Sequence, residues 1–282
     1  IRSDNIIKVP SNQDCTLKSE LLEPIYQEAV SKSKIIFCVI GCACTTSAGV
    51  YDDLDAIGEF AEKHQIWFHI DGAHGGPAIF SDKYKYLLKG VERSDSISID
   101  FHKMMMTPPL STALLYNKKN QKLNEYSPKA DYLWQDQLSL EWFNSAKHTL
   151  ECTKPLTIIH TYTIMRVYGD EIYAQNVDTL YDLGHHFAEM IKAHKSFELA
   201  LEPHTNIVCF RYVPANGNFE HINKIISEKL LRDGSFYVVN TKIHNIFYLR
   251  VSIMNPLTDN SYLESLLDKI ANYGQEAEGA KK

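Results

Sequence analysis

The chain has 282 residues with 44% hydrophobic and 23% charged side chains, the composition of an ordinary globular protein with a sizeable core. Its net charge of -6 leaves no basic field for phosphates, which argues against nucleic-acid binding. No apolar run reaches the ~18 residues that would span a bilayer, and the opening "IRSDNIIKVPSN" has no apolar signal-peptide core.

In chain order, "SKIIFCVIG" (Ser33–Gly41) is a continuous apolar, β-branched run and predicts a strand buried on both faces. After the loop "CACTTSAGVY", Asp52 or Asp53 is expected to cap a helix carrying Leu54, Ile57, Phe60 and Ala61 on one face. "IWFHID" (Ile66–Asp71) predicts a strand, and "KYKYLLKG" a helical turn closed by Gly90. "SDSISID" (Ser94–Asp100) and "STALLYN" (Ser111–Asn117) predict two further strands. Strands alternating with helices imply a largely parallel sheet, whose ligands sit beyond the strands' carboxyl ends. From Lys154 to about Lys195 the pattern is helical, broken near Gly169. "NIVCFRYVP", "SFYVVNTKI" and "FYLRVSIM" then predict strands of a smaller α+β domain. A last helix begins at Thr258, carries Leu263, Leu266, Leu267 and Ile270, and is expected to end at Gly274, before a disordered "QEAEGAKK". The expected division is 1–165 and 166–282.

The six cysteines, Cys15, Cys38, Cys42, Cys44, Cys152 and Cys209, are scattered rather than arranged as a disulfide framework, so a reducing cytoplasm is expected. Cys42 and Cys44 read as thiols at a buried strand end, since a metal site would need further ligands. Asp71 and Lys103 stand near the ends of two predicted strands. A lysine amine forms an imine with an aldehyde, and a carboxylate holds a protonated ring nitrogen. These are the two attachments a pyridoxal phosphate ring requires. Gly72 and Ala73 would let a flat ring approach the backbone, His102 could contact its phosphate, and Thr45 and Thr46 add hydroxyls. Taken singly, an Asp-Gly pair also reads as a turn, and a lysine as a solvated side chain.

"IWFHIDGAHGG" followed by "LLKGVERSDSISIDFHKMM" resembles the cofactor core of the group II pyridoxal-phosphate-dependent amino-acid decarboxylases. That family includes the glutamate, cysteine-sulfinate, aromatic amino-acid and diaminobutyrate enzymes. "CACTTSAGVYDDLDAIGEFAEKHQIW" is similar to the family's Thr-Thr loop and following helix, "DYLWQ" to its mobile loop, and "FYLRVSIMNP" to its arginine strand. The resemblance runs from about Ile6 to Gly274. It implies an α/β fold of type I, with a mostly parallel sheet flanked by helices and a smaller C-terminal α+β domain. It implies pyridoxal 5'-phosphate on Lys103, Asp71 at the ring nitrogen, Ala73 against the ring, and Thr45, Thr46 and His102 contacting the cofactor. Tyr132 would reprotonate the substrate carbon after carbon dioxide leaves, and Arg250 would bind the substrate carboxylate. The substrate would be an L-amino acid, with the acidic branch favoured, and the protein a homodimer sharing the Tyr132 loop.

Read without the resemblance, Tyr132 is one of 16 tyrosines and fits loop packing. Arg250, in an apolar strand, needs a partner that a structural carboxylate could equally supply. His74 stands where the family has an aromatic residue, where a polar loop contact and catalysis fit equally. Cys44 stands where the family has Gly, and Asp100 where some members have Asn. The chain is expected to lack the family's N-terminal part, to bind cofactor weakly alone, to expose apolar surface, and to need a companion chain or that missing part. A carbon–carbon lyase resembling sphingosine-phosphate lyase and a non-catalytic relative remain alternatives.

Overall fold

The computed structural model describes residues 2–117, 149, 151, 153–215 and 217–279. Helix α1 (Leu22–Ser31) precedes strand β1 (Cys38–Cys42), helix α2 (Leu54–His64) and strand β2 (Trp67–Asp71). Strands β3 (Ser96–Asp100) and β4 (Thr112–Tyr116) complete a four-stranded sheet in the order β1-β2-β3-β4. β1, β2 and β3 are parallel and β4 is antiparallel. Helices α3 (Ile158–Tyr168) and α4 (Glu171–Ala193) follow, separated at Gly169. A second sheet, antiparallel throughout, has the order β5-β6-β8-β7. Its strands are β5 (Phe197–Leu199), β6 (Ile207–Tyr212), β7 (Val239–Ile243) and β8 (Ile246–Ser252), with α5 (Phe219–Asp233) between β6 and β7 and α6 (Asn260–Gly279) last.

Local chemistry explains the first βαβ unit. Asp53, not Asp52, caps α2, accepting from the Ala56 amide at 3.1 Å. Asp52 is buried and instead accepts from the amides of Leu17 (2.7 Å) and Cys42 (2.8 Å), fastening an N-terminal segment to the end of β1. Gly90 has φ +94, and a side chain there would meet the Asp55 backbone at 2.4 Å, so the turn over Lys85–Leu88 closes on the first turn of α2.

One continuous apolar core links both sheets, from Leu54, Ile57, Phe68 and Ile70 to Phe210 and Leu249. α4 supplies the join. Its buried residues Tyr173, Val177, Leu180, Gly184, Phe187 and Ile191 recur at helical spacing and face β5, β6 and the turn over Gly76–Phe80.

Four local expectations are corrected. β1 covers only Cys38–Cys42 and is an edge strand paired with β2 alone among the described residues, so it is not buried on both faces. Ile35 is 90% and Ile40 56% exposed. Gly274 does not end α6. It lies mid-helix, and packing selects glycine there, since a Cβ would press into the Tyr212 ring at 2.5 Å. The helix continues to Gly279, so Gln275–Gly279 is ordered rather than part of a disordered tail. Gly72 is buried against β3, where a Cβ would lie 2.9 Å from Ile97, so close strand packing rather than an open approach selects it. Helices α1 and α5 and strand β5 were not anticipated. Exposed apolar side chains include Phe37, Leu114, Leu115, Tyr162 and Val167, as expected.

Candidate active site

β2 and β3 run parallel in adjacent positions, with Asp71 opposite Ser98. Asp71 is therefore the last residue of one strand, and Lys103 lies just past the end of its neighbour, on the same edge of the sheet. This is where an open α/β sheet places its ligands. The Asp71 carboxylate is exposed and accepts from the Ala73 amide at 3.2 Å. The Ala73 carbonyl in turn accepts from the Asp100 amide at 3.1 Å, joining the two strand ends.

Lys103 is held from several sides. Its Nζ lies 2.8 Å from Asp100 Oδ2, and Asp100 also accepts from the Thr112 hydroxyl at 2.6 Å. Burial pushes the Asp100 carboxyl up, but the bonds from Lys103 and Thr112 outweigh it and leave it below the usual carboxylate value. The acid at position 100 thus serves as counter-ion to the lysine. Met104 and Met105, which follow Lys103, are buried, and the Asn176 amide of α4 donates to the Met104 carbonyl at 2.9 Å. The backbone carrying Lys103 is therefore anchored on the core. His102 Nδ1 lies 2.9 Å from the Ser111 carbonyl and Nε2 3.8 Å from Asp100, so this imidazole sits between the lysine's counter-ion and β4.

The loop after β1 closes on itself, with the Gly49 amide donating to the Thr45 carbonyl and the Thr45 amide to the Val50 carbonyl, both at 2.8 Å. Thr46 is exposed and Thr45 half-buried. Cys44 adopts φ +77, the left-handed backbone that glycine takes without strain, which accounts for the resemblance to a glycine position. Burial pushes the thiols of Cys42 to about 11 and of Cys44 and Cys209 to about 12, so they are protonated, unreactive packing groups. Cys152 and Tyr132 lie outside the described residues.

Arg250 sits in β8, between Cys209 of β6 and Val239 of β7. Its Nε is buried with no hydrogen-bond partner among the described residues, an orphaned donor that a bound anion would satisfy. Its positive charge, with that of Lys103, acts on both Cys44 and His74, which brings the arginine strand to the Lys103 side of the molecule. His74 Nε2 lies 2.8 Å from Asn206 Oδ1. Burial drives this imidazole down to about 4. The Asn206 bond opposes the shift, and Lys103 and Arg250 add to it.

Three adjacent residues escaped the sequence reading. His204 Nδ1 accepts from the Tyr51 amide at 3.2 Å, the Thr205 hydroxyl donates to the Gly49 carbonyl at 3.1 Å, and Asn206 meets His74. Thr205 and Asn206 are fully buried. The available signal was three polar residues directly ahead of the apolar run of β6.

An amine and a carboxylate at neighbouring strand ends, a small Ala73 between them, and an orphaned cationic donor nearby fit the amine, ring and carboxylate attachments of a pyridoxal phosphate site. Comparison with known proteins agrees. Residues 3–213 match the pyridoxal-dependent decarboxylase conserved domain, and the chain belongs to that family. It is 29% identical to an L-2,4-diaminobutyrate decarboxylase of Acinetobacter baumannii, over 94% of this chain and 53% of that protein. It is 27% identical to the acidic amino acid decarboxylase GADL1 of Mus musculus, over 98% of this chain and 53% of that protein. Among solved structures, the glutamate decarboxylase domain of a Vibrio parahaemolyticus diaminobutyrate-pyruvate transaminase and L-2,4-diaminobutyrate decarboxylase superposes with TM-score 0.80 and 32% identity, covering 95% of this chain and 52% of that one. Mouse CSAD superposes with TM-score 0.88 at 23% identity, covering 97% and 59%, a likeness of fold. The chain thus spans about half the length of these relatives.

Proposed function

We propose that this chain carries the catalytic lysine of a pyridoxal-phosphate-dependent decarboxylase that converts an L-amino acid, glutamate or a related acidic one, to its amine and carbon dioxide. The observation that carries the proposal is the placement of Asp71 and Lys103 at the carboxyl ends of adjacent parallel strands, within a chain of this family. Bound there, pyridoxal phosphate supplies a carbonyl for imine exchange and an electron-withdrawing ring.

The chain's own residues supply attachment, charge and protons. Lys103 provides the amine, and Asp100 orients it through the 2.8 Å contact. Asp71, exposed at its strand end, holds a proton on the ring nitrogen by its negative charge. Ala73 offers a small apolar surface to the ring, while His102, Thr45 and Thr46 contact the cofactor. Arg250 binds the substrate α-carboxylate through its unpaired Nε side. Tyr132 delivers a proton to the α-carbon; its support is the likeness of "DYLWQ" to the family's mobile loop. A homodimer in the cytoplasm, and a division into residues 1–165 and 166–282, belong to the same proposal.

The likeness to GADL1 supports an acidic substrate. The likeness to two diaminobutyrate decarboxylases favours a second reading in which the substrate side chain ends in an amine. The test is an absorbance spectrum with added pyridoxal phosphate, then borohydride reduction, peptide mapping and intact mass. A pyridoxyl adduct on Lys103, absent from Lys103→Ala, is expected. Glutamate, cysteine sulfinate, diaminobutyrate and aromatic amino acids are then screened for carbon dioxide. Release from the acidic substrates supports the first reading and release from diaminobutyrate the second. An aldehyde product would indicate a carbon–carbon lyase, and no adduct from this chain together with the part that its relatives additionally span would overturn the proposal.

A further inference from the structure

The segment between α4 and β6 makes three side-chain contacts with the ligand-side loops of the first sheet. His204 holds Tyr51, Thr205 holds Gly49, and Asn206 holds His74. Gly184 of α4 backs this seam, since a Cβ there would lie 2.2 Å from the Thr205 carbonyl. The same Asn206 is fastened to the far end of β8. Its carbonyl accepts from the Ile253 amide at 2.9 Å, and its Nδ2 donates to the Ile253 carbonyl at 2.8 Å and lies 3.3 Å from Met254 Sδ.

That arrangement fixes the protons. Because Nδ2 faces the Ile253 carbonyl, Oδ1 is the atom turned to His74, and it can only accept. His74 Nε2 therefore carries the proton and donates, leaving Nδ1 as a lone-pair acceptor. The ring is neutral because burial and two neighbouring cations, Lys103 and Arg250, disfavour a charge. His74 lies three residues after Asp71, and Ile253 three after Arg250. A short relay, His74 to Asn206 and Asn206 to Ile253, thus links the loop at Asp71 to the end of the Arg250 strand.

We propose that His74 and Asn206 are a positioning pair that sets the Arg250 strand against the Asp71–Lys103 edge, and so fixes where a substrate carboxylate lies relative to the reacting amine. This rests on the decarboxylase reading for its functional consequence, but the tether itself does not.

The experiment compares the parent with His74→Phe, which keeps an aromatic ring and removes the donor, and His74→Gln, which keeps a donor. In the protein without added cofactor, hydrogen exchange is followed by mass spectrometry in peptides covering 72–76 and 250–254. His74→Phe is expected to speed exchange about tenfold in both, and His74→Gln to restore it. Acceleration confined to 72–76 would overturn the tether, as would rapid exchange in both peptides of a folded His74→Gln. With cofactor and a turned-over amino acid, His74→Phe is expected to form the Lys103 adduct like the parent while raising KM about tenfold with a much smaller change in kcat. An unchanged KM in a variant that forms the adduct would overturn the positioning role. If the parent forms no adduct even when joined by the part that its relatives additionally span, the decarboxylase reading fails, and the exchange data alone decide the tether. Should His74→Phe not fold, parental exchange in His74→Gln supports the tether and accelerated exchange refutes it.

Discussion

Strand β6 of the second sheet is buried at every position except Arg211, whereas β4 of the first sheet has no buried position and exposes Leu114 by 46% and Leu115 by 50%. The second sheet packs against α4, α5 and α6, so its apolar side chains are enclosed by elements of the same chain. The first sheet carries Asp71 and Lys103, yet its edge strand β1 leaves Ile40 exposed, as does the approach to it at Phe37. A region that supplies its own covering layer is stabilised by that burial, and one that keeps an edge and a face open is held largely by its neighbours. The proposed site therefore stands on the less enclosed half, and the seam at residues 204–206 joins it to the better enclosed one.

The sharpest way to test this contrast is to cut into the second core. Phe210 is fully buried beneath Phe187 and Phe197, so Phe210→Ala is expected to lose about 3–5 kcal/mol by denaturant unfolding. A loss below about 1 kcal/mol would mean that the second sheet is not the stable half. Asp71→Asn should do the opposite. The side chain is exposed, so unfolding is expected to change by under about 0.5 kcal/mol. Under the proposed role of Asp71 as the charge facing the ring nitrogen, carbon dioxide release should fall on the order of 10²–10³-fold.

Acid should reach the seam next. His74 is pushed to about 4 from an ordinary value of 6.5, so the unfolded chain binds the proton first. Stability attributable to this group is complete above pH 6.5 and lost as pH falls from there to about 4, amounting to on the order of 3 kcal/mol. His69, His185 and His204 are also shifted down by burial and add in the same direction. Urea midpoints measured across that window should drop less in His74→Phe than in the parent. An equal drop would place the acid sensitivity elsewhere.

Gly184→Ala drives a methyl group into the Thr205 carbonyl and is expected to cost about 1–3 kcal/mol. Thermal melts with no shift would show that α4 does not bear on the seam. The smallest effect belongs to the open face. Leu114→Ser should change stability by under about 0.5 kcal/mol, and a larger loss in the same melts would reveal a covering partner for β4.

Much of this arrangement was readable from residue order. The run ending at Asp71, the run ending at Asp100, a cap at Asp52 or Asp53 and the break at Gly169 follow from periodicity and turn chemistry, which act over a few residues; the long-range bonds of Asp52 to Leu17 and Cys42 left the cap to Asp53. The position of Asp71 and Lys103 at neighbouring strand ends was readable too, because parallel strands must present their carboxyl ends on one edge. Other features depend on residues far apart in sequence. Gly274 has the look of a helix stop, and only the Tyr212 ring beside it shows why a glycine stands mid-helix. "SKIIFCVIG" has the composition of a central strand, but composition does not reveal how many neighbours a strand pairs with.

Local order within the chain determined the strand ends, the caps and the candidate amine and carboxylate, since those rest on backbone geometry and short-range hydrogen bonds. The Asp100 counter-ion to Lys103 is likewise local, three residues away. Tertiary packing alone decided the orphaned Nε of Arg250 and the bond from His74 to Asn206. That bond joins residues 132 positions apart. Its strength, and the suppressed charge on the imidazole, come from burial between two sheets, a property that neither segment has by itself.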